Sequence, residues 1–297
     1  MELTASIHLS EAQFNLLMMH SALNVLNVLM FEIVMLEESY GASSQSAQLT
    51  DDLHQAARSL SDQAASTMLV RNIDDFIGKG ERLLAEWKAT LTDHLEEFET
   101  SERNITEIFD ILRIRARELA TRADNPDAWE DFDLVTLHHN YVKVLRAIEQ
   151  NSKGRYRIVY NLAEHDQGAY LVHFVVTSHN NKTIYMPAVL QDIIRDLLAN
   201  ARKYTDPGGS IEAGLYDSGS EIRFVITDTG HGIPAGEIKQ VIAFGQRGSN
   251  AQTPTRGGGF GLTKAYWYTR HFGGRFWIDS EPEKGTRIEL RIPRMQQ

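Results

Sequence analysis

The sequence predicts an α+β protein: an N-terminal helical bundle followed by an α/β sandwich. Three observations carry this. Residues 10–123 contain no proline and only Gly41, Gly78 and Gly80, so little interrupts a helix there. Leu16, Met19, Leu23, Leu26, Met30 and Ile33 repeat at alternating three- and four-residue steps, the seam of a coiled coil or bundle. Beyond Trp129 the period changes, and short β-branched and aromatic runs alternate with amphipathic stretches.

In chain order, Ser10 with Gln13 three residues on reads as a capping box that opens the first helix, and Gly41 closes it. A second helical stretch is expected over 47–69. Two runs over 73–98 and 102–122, or one long helix, follow, with Ile105, Ile108, Leu112 and Leu119 repeating the seam. Asn125-Pro126 ends the helical part, because proline removes a donor and biases its predecessor away from helix. Strands are expected at 157–160, 170–176, 211–215, 222–227, 275–280 and 286–292, with helices at 134–150, 188–203 and 262–272. The expected domains are therefore 1–124 and 130–297, joined near 124–131, with an extended or inserted helical segment over about 42–100 in the first.

Composition narrows the function classes. A formal net charge of -10 argues against non-specific nucleic-acid binding, which needs clustered cations. The chain has no cysteine, which removes disulfides, thiolate metal sites and cysteine nucleophiles and fits a cytoplasmic protein. No basic stretch followed by an apolar core opens the sequence, so no signal peptide is expected. The apolar stretch 16–35 is interrupted by His20, Ser21, Asn24, Asn27 and Glu32, and reads as a bundle helix rather than a membrane span.

Four short segments in the C-terminal third have chemistry suited to a nucleotide. On the helix over 188–203, Asp196, Asn200 and Lys203 fall on one face, where an amide oxygen suits Mg²⁺ and an ammonium suits phosphate. Asp228-Thr229-Gly230-His231-Gly232 places an acceptor at a strand end, followed by glycines that let backbone approach a base; taken alone it also reads as a turn. Phe244-Gly245-Gln246-Arg247-Gly248 is the third segment. Gly257-Gly258-Gly259-Phe260-Gly261-Leu262 leads into a helix N-terminus, which presents free N–H groups and a positive dipole end to an anion.

In order and spacing these segments resemble the N, G1, F and G2 boxes of the GHKL ATP-binding fold, shared by sensor histidine kinases, gyrase and Hsp90. The resemblance covers about 130–293. It extends to Phe132-Asp133-Leu134 at its opening and to the closing hairpin around Gly273-Gly274-Arg275 and Lys284-Gly285-Thr286. It implies ATP with Mg²⁺, Asn200 as the metal residue, Lys203 on phosphate, Tyr204 beside the adenine and Asp228 on the adenine amino group. It further implies that 246–256 is the lid, with Arg247 and Arg256 as phosphate clamps. Gly230, Gly232, Phe244, Gly257, Gly259, Gly261, Leu262 and Thr286 complete the implied nucleotide site.

Phe14, His20, Asn24 and Leu26 resemble the H box of histidine kinases, which implies that His20 accepts the γ-phosphoryl group and that Asn24 orients water for dephosphorylating a response regulator. Two positions depart from that pattern: Ser21 stands where the family usually has an acid, and Val25 where it has proline. Asp196, four before Asn200, is a third catalytic candidate, since a carboxylate there can act as a base. The resemblance therefore implies a homodimeric histidine kinase that passes phosphate to a response-regulator receiver domain, with the signal arriving through the segment 42–100 or from a separate sensor protein. A dimer is expected because a two-helix hairpin cannot bury both sides of its seam alone. Two alternatives stay open: a protein serine kinase resembling the mitochondrial dehydrogenase kinases, with Asp196 as base, and an ATP-binding pseudokinase or scaffold.

Overall fold

The structure, a computed structural model, describes residues 1–91, 95–150, 152, 154–249 and 259–295. The chain divides into two units, Leu9–Pro126 and Met1–His8 with Asp127–Gln297. The expected first domain, 1–124, thus loses its first eight residues to the other unit.

The helical unit contains α1 (Glu11–Met18), α2 (His20–Tyr40), α3 (Ser44–Ser59), α4 (Gln63–Arg71), α5 (Ile73–Thr90) and α6 (Leu95–Asp124). The Ser10–Gln13 capping box is present, with Gln13 N–H donating to Ser10 Oγ and Ser10 N–H to Gln13 Oε1. The first helix breaks at Met19 but keeps its register, because Met19 N–H donates to Asn15 O and Leu23 N–H to Met19 O. Gly41, at φ +88°, ends α2 in a conformation few other residues adopt.

The stretch expected over 47–69 divides into α3 and α4 around Asp62, whose carboxylate caps α4 by accepting from Ala65 N–H. Leu26, Leu29 and Ile33 of α2 are buried in one core with Leu53 of α3, Ile77 of α5 and Phe98, Ile105 and Leu112 of α6. On α5, a Cβ at Gly80 would come 2.3 Å from the Phe109 ring, so this helix approaches α6 through its glycine. The seam therefore finds its partners within one chain, and the premise that it needs a second copy for burial does not hold. Of the described helices, α2 alone is long and apolar enough to cross a membrane by length and composition; its place in this core matches a bundle helix.

The second unit contains β1 (Glu2–Leu3), β2 (Trp129–Asp133), α7 (Leu134–Gln150), β3 (Arg157–Val159), β4 (Ala169–Ser178), β5 (Thr183–Pro187), α8 (Leu190–Tyr204), β6 (Ser210–Asp217), β7 (Glu221–Asp228), α9 (Gly261–His271), β8 (Arg275–Glu281) and β9 (Gly285–Pro293). Seven strands form one mixed sheet in the order β1-β8-β9-β7-β6-β4-β3, parallel at β3–β4 and β4–β6 and antiparallel elsewhere. The pair β2–β5 makes a separate antiparallel ribbon.

Alternation fixes the faces: Ile222, Phe224, Ile226 and Asp228 of β7 are buried, while Arg223, Val225 and Thr227 are half-buried. Arg223, Arg287 and Arg291 surround Glu289 on that other face. β1 was not foreseen. Glu2 and Leu3 pair with Trp277 and Phe276, Leu3 is buried, Glu2 forms two hydrogen bonds with Arg275, and the Tyr266 hydroxyl donates to Ala5 O.

Candidate functional site

The period-two pattern that buries Phe224 and Ile226 carries on to Asp228, so the last residue of β7 delivers a carboxylate to the interior end of the sheet. Asp228 Oδ1 accepts from Gly230 N–H at 2.9 Å and Thr286 N–H at 3.2 Å, while Oδ2 has no hydrogen-bond partner among the described residues. Burial raises this carboxyl above the usual aspartate range, against the two N–H donors that favour its anion. The loop after it is held too closely for larger residues: a Cβ on Gly230 would lie 2.1 Å from Tyr204 O, and one on Gly232 2.0 Å from Glu281 O. His231 N–H donates to Tyr204 O and Glu283 N–H to His231 O, which joins the loop to the end of α8 and to the β8–β9 hairpin. The Thr286 hydroxyl is 2.8 Å from Ser280 Oγ, which in turn accepts from Ile233 N–H.

α8 turns its apolar residues Ile193, Ile194, Leu197 and Leu198 inward and leaves Asn200, Lys203 and Tyr204 half-exposed. Gly261 lies directly against this strip, since a Cβ on it would come 3.0 Å from Asn200 Nδ2 and 3.5 Å from Asp196 Cβ. α9 starts here with no side-chain cap, leaving the first-turn N–H groups without the side-chain oxygen that usually satisfies one of them. Thr263 Oγ1 donates to Ala243 O at 3.1 Å, and the Phe244 and Phe260 rings are 4.7 Å apart, so the third segment is fixed to the start of α9. Gly259, at φ +72°, would place a Cβ 2.7 Å from Gln246 O. Leu262 is half-exposed beside it. Arg256 and Gly257 lie outside the described residues.

Charge also gathers here. Burial, then Arg247 and Arg202, push the Lys203 ammonium below the usual lysine range. Tyr204 is pushed up by burial, with Arg247 opposing. An ammonium depressed by neighbouring cations is stabilised by an anion beside it. An acceptor at the base of a glycine-lined loop, an uncapped helix start and a crowded pair of cations suit a purine nucleotide with a polyphosphate tail. The Asn200 amide beside them suits Mg²⁺, which takes oxygen ligands.

Two residues of this site escaped the sequence reading. Lys264 is 0% exposed, with Nζ 3.4 Å from Asp192 Oδ2 and 3.8 Å from Asp196 Oδ2. The available signal was a lysine inside the otherwise apolar and aromatic start of α9, together with two acids one turn apart on α8.

In the helical unit, His20 opens α2 and is buried, at 6% exposure. Its Nε2 lies 3.2 Å from Asn24 Nδ2. The Ser21 hydroxyl is buried without a hydrogen-bond partner among the described residues. His54 is exposed on α3, and His94 lies outside the described residues.

Residues 186–296 match the family "Histidine kinase-, DNA gyrase B-, and HSP90-like ATPase". The chain is 32% identical over 125 residues to the adaptive-response sensory kinase SasA of Synechococcus sp. (strain CC9311), covering 40% of this chain and 33% of that protein. It is 37% identical over 108 residues to the sensor histidine kinase RcsC of Salmonella typhimurium, covering 36% and 11%. To the sensor histidine kinase Hik2 of Thermosynechococcus vestitus it is 36% identical over 107 residues, covering 35% and 28%. The chain thus matches a third or less of the length of these relatives. A mycobacterial sensor histidine kinase structure, MprB, aligns at 23% identity and a TM-score of 0.40 over 55% of this chain and 97% of that structure.

Proposed function

We propose, from a C-terminal domain that belongs to the histidine kinase-, gyrase- and HSP90-like ATPase family, that this chain is a cytoplasmic, ATP-dependent protein histidine kinase of a two-component system. The observation that carries the reading is the convergence of Asp228, the Asn200–Lys203–Tyr204 strip and the uncapped start of α9 on one pocket. In this reading Asp228 Oδ2 accepts the adenine amino proton, and Gly230 and Gly232 admit the base beside Tyr204. Asn200 holds Mg²⁺, which neutralises phosphate charge when bound. Lys203, Arg247 and the N–H groups of 259–262 hold the phosphates, the same role being assigned to Arg256 and Gly257; of the lid expected over 246–256, residues 250–256 lie outside the described residues. Phe244 seats the lid on Phe260, and Thr286 holds Asp228 in place.

His20 is the acceptor: an imidazole nitrogen forms a bond to the γ-phosphorus as the bond to the ADP oxygen breaks, and the ring's other nitrogen then gives up its N–H proton to water. The Asn24 amide orients the ring and, in the reverse role, the water that dephosphorylates the regulator. The phosphoryl group passes to an aspartate on a response-regulator receiver domain. The kinase acts as a homodimer through the bundle. Val28, Phe31 and Met35 support this, being 49%, 61% and 42% exposed at successive turns of α2. Signal reaches it through α3–α5 or from a separate sensor protein.

Incubation with γ-labelled Mg·ATP tests the reading. The expected label is acid-labile and alkali-stable, and is lost in His20→Ala. Acid-stable label would instead mark the serine-kinase chemistry, and nucleotide binding with no label at all the scaffold.

A further inference from the structure

The proposed nucleotide roles leave Ser280 unused, although its hydroxyl joins the two segments that orient Asp228. Ser280 lies on β8, on the same face as the buried Phe276 and Ile278, and is paired in register with Thr286 of β9. Its Oγ accepts from Ile233 N–H at 2.7 Å, donates to Gly285 O at 3.0 Å and is 2.8 Å from Thr286 Oγ1. With its one proton on Gly285 O, it takes the Thr286 hydroxyl as a second donor, so a single hydroxyl ties the loop after Asp228 to the start of β9. Each of those segments supplies one of the N–H groups on Asp228 Oδ1, Gly230 from the loop and Thr286 from β9. Both donors reach one oxygen only while loop and strand keep a fixed separation. Close packing limits their approach: a Cβ on Gly232 would lie 2.0 Å from Glu281 O, and one on Gly285 1.9 Å from Asp228 O. Packing does not stop the loop from lifting or sliding, whereas hydrogen bonds have direction. Glu283 N–H and Tyr204 O hold the middle of the loop at His231, and Ser280 holds its Ile233 end.

We propose that Ser280 is a positioning residue of the nucleotide site: through Ile233 and Thr286 it fixes the plane of the Asp228 carboxylate and thereby sets a preference for adenine. A carboxylate held by two N–H groups on one oxygen presents the lone pairs of its other oxygen in a set direction. Adenine offers that oxygen an amino proton, whereas hypoxanthine has a carbonyl oxygen at the same position and is repelled. Without the Ser280 hydroxyl, Ile233 N–H and the Thr286 hydroxyl lose their acceptor and the loop end is released. The phosphate side, at Lys203 and the start of α9, keeps its contacts. The proposal rests on the nucleotide reading of Asp228 and is independent of the phosphoacceptor.

The test is calorimetric titration of the full chain with Mg·ADP and with Mg·IDP, its hypoxanthine counterpart, in wild type, Ser280→Ala and Ser280→Thr. Wild type is expected to prefer ADP. Ser280→Ala is expected to weaken ADP roughly tenfold and IDP by less than about threefold, so that the preference narrows. Ser280→Thr keeps the hydroxyl and is expected to keep most of the preference. A serine that served only the stability of the hairpin would weaken both nucleotides by one factor or neither, and either result overturns the proposal. So does a preference lost equally in Ser280→Thr and Ser280→Ala, which would make side-chain volume the cause. A wild type that holds ADP and IDP alike overturns the adenine reading of Asp228, and this proposal with it. A wild type that prefers ADP beside a Ser280→Ala that prefers it as strongly overturns the proposal alone.

Discussion

In the helical unit the buried polar side chains among the described residues are Asn15, His20, Ser46, Ser66 and Arg122, and none is a carboxylate. In the α/β unit they include Asp192, Asp217, Asp228, Glu289 and Lys264. Asn15 and Ser66 satisfy one another and a backbone carbonyl, so they act as fasteners of α1 to the α3–α4 turn. Asp228 keeps one oxygen without a hydrogen-bond partner among the described residues, and Asp192 and Asp196 share a lysine with each other. The first unit is a packing solution in which one imidazole stands out. The second brings carboxylates and a lysine into its interior, and Asp228 among them stands where glycines leave room for a ligand.

The comparison breaks most readily at Asn200. Asn200→Ala should lower Mg·ATP-dependent labelling roughly a hundredfold or more while the melting temperature barely changes. A large fall in melting temperature would make Asn200 a structural residue. Ile33→Ala, in the bundle core, should do the reverse: it should destabilise by about 2–5 kcal/mol in chemical denaturation and leave ADP affinity unchanged. Parallel loss of affinity would show that the bundle core also supports the pocket.

Gly230→Ala combines both effects, because its methyl meets a carbonyl. About 1–3 kcal/mol of destabilisation is expected together with weakened ADP binding, read from melts with and without nucleotide. The smallest effect belongs to Glu289. Burial would raise its carboxyl, but Arg223, Arg291 and Arg287 outweigh that and hold it down to about 2. A depressed acid contributes its stability above the unfolded value and loses it as pH falls toward the folded one. A comparison with Glu289→Gln should therefore show a contribution present above about pH 4.5 and lost toward pH 2, no more than about 2 kcal/mol once solvent screening is counted.

What could be read in the sequence was local. Ser10 with Gln13, Gly41 and Pro126 mark helix ends through their own backbone chemistry, and the strand beginning at Glu221 declares its faces by alternation. The nucleotide segments were legible for the same reason, each being a short run whose backbone or side chains have one evident use. Elements defined by distant partners were not. β2 and β5 pair across some fifty residues, and neither has the length or alternation to signal a strand alone. Lys264 is matched to acids on another helix. A single 3-4 stripe assumes one facing partner, whereas α2 is covered from more than one side, so Ala22 and Leu29, outside the stripe, are buried as well.

The pairing of Glu2 and Leu3 with the β8 residues Trp277 and Phe276 has a consequence for how the molecule is made. The sheet cannot acquire this edge until more than 270 residues have followed it, so in synthesis this strand must wait for a late partner. The bundle has the shorter route, with every contact of its core available once residue 126 has emerged. A domain cut out at residue 127 would lack the β1 edge, exposing the backbone of β8 and the Phe276 surface that Leu3 covers. Expression of the ATP-binding part alone should therefore gain in solubility when residues 1–8 are supplied, as a fused strand or as a peptide in trans.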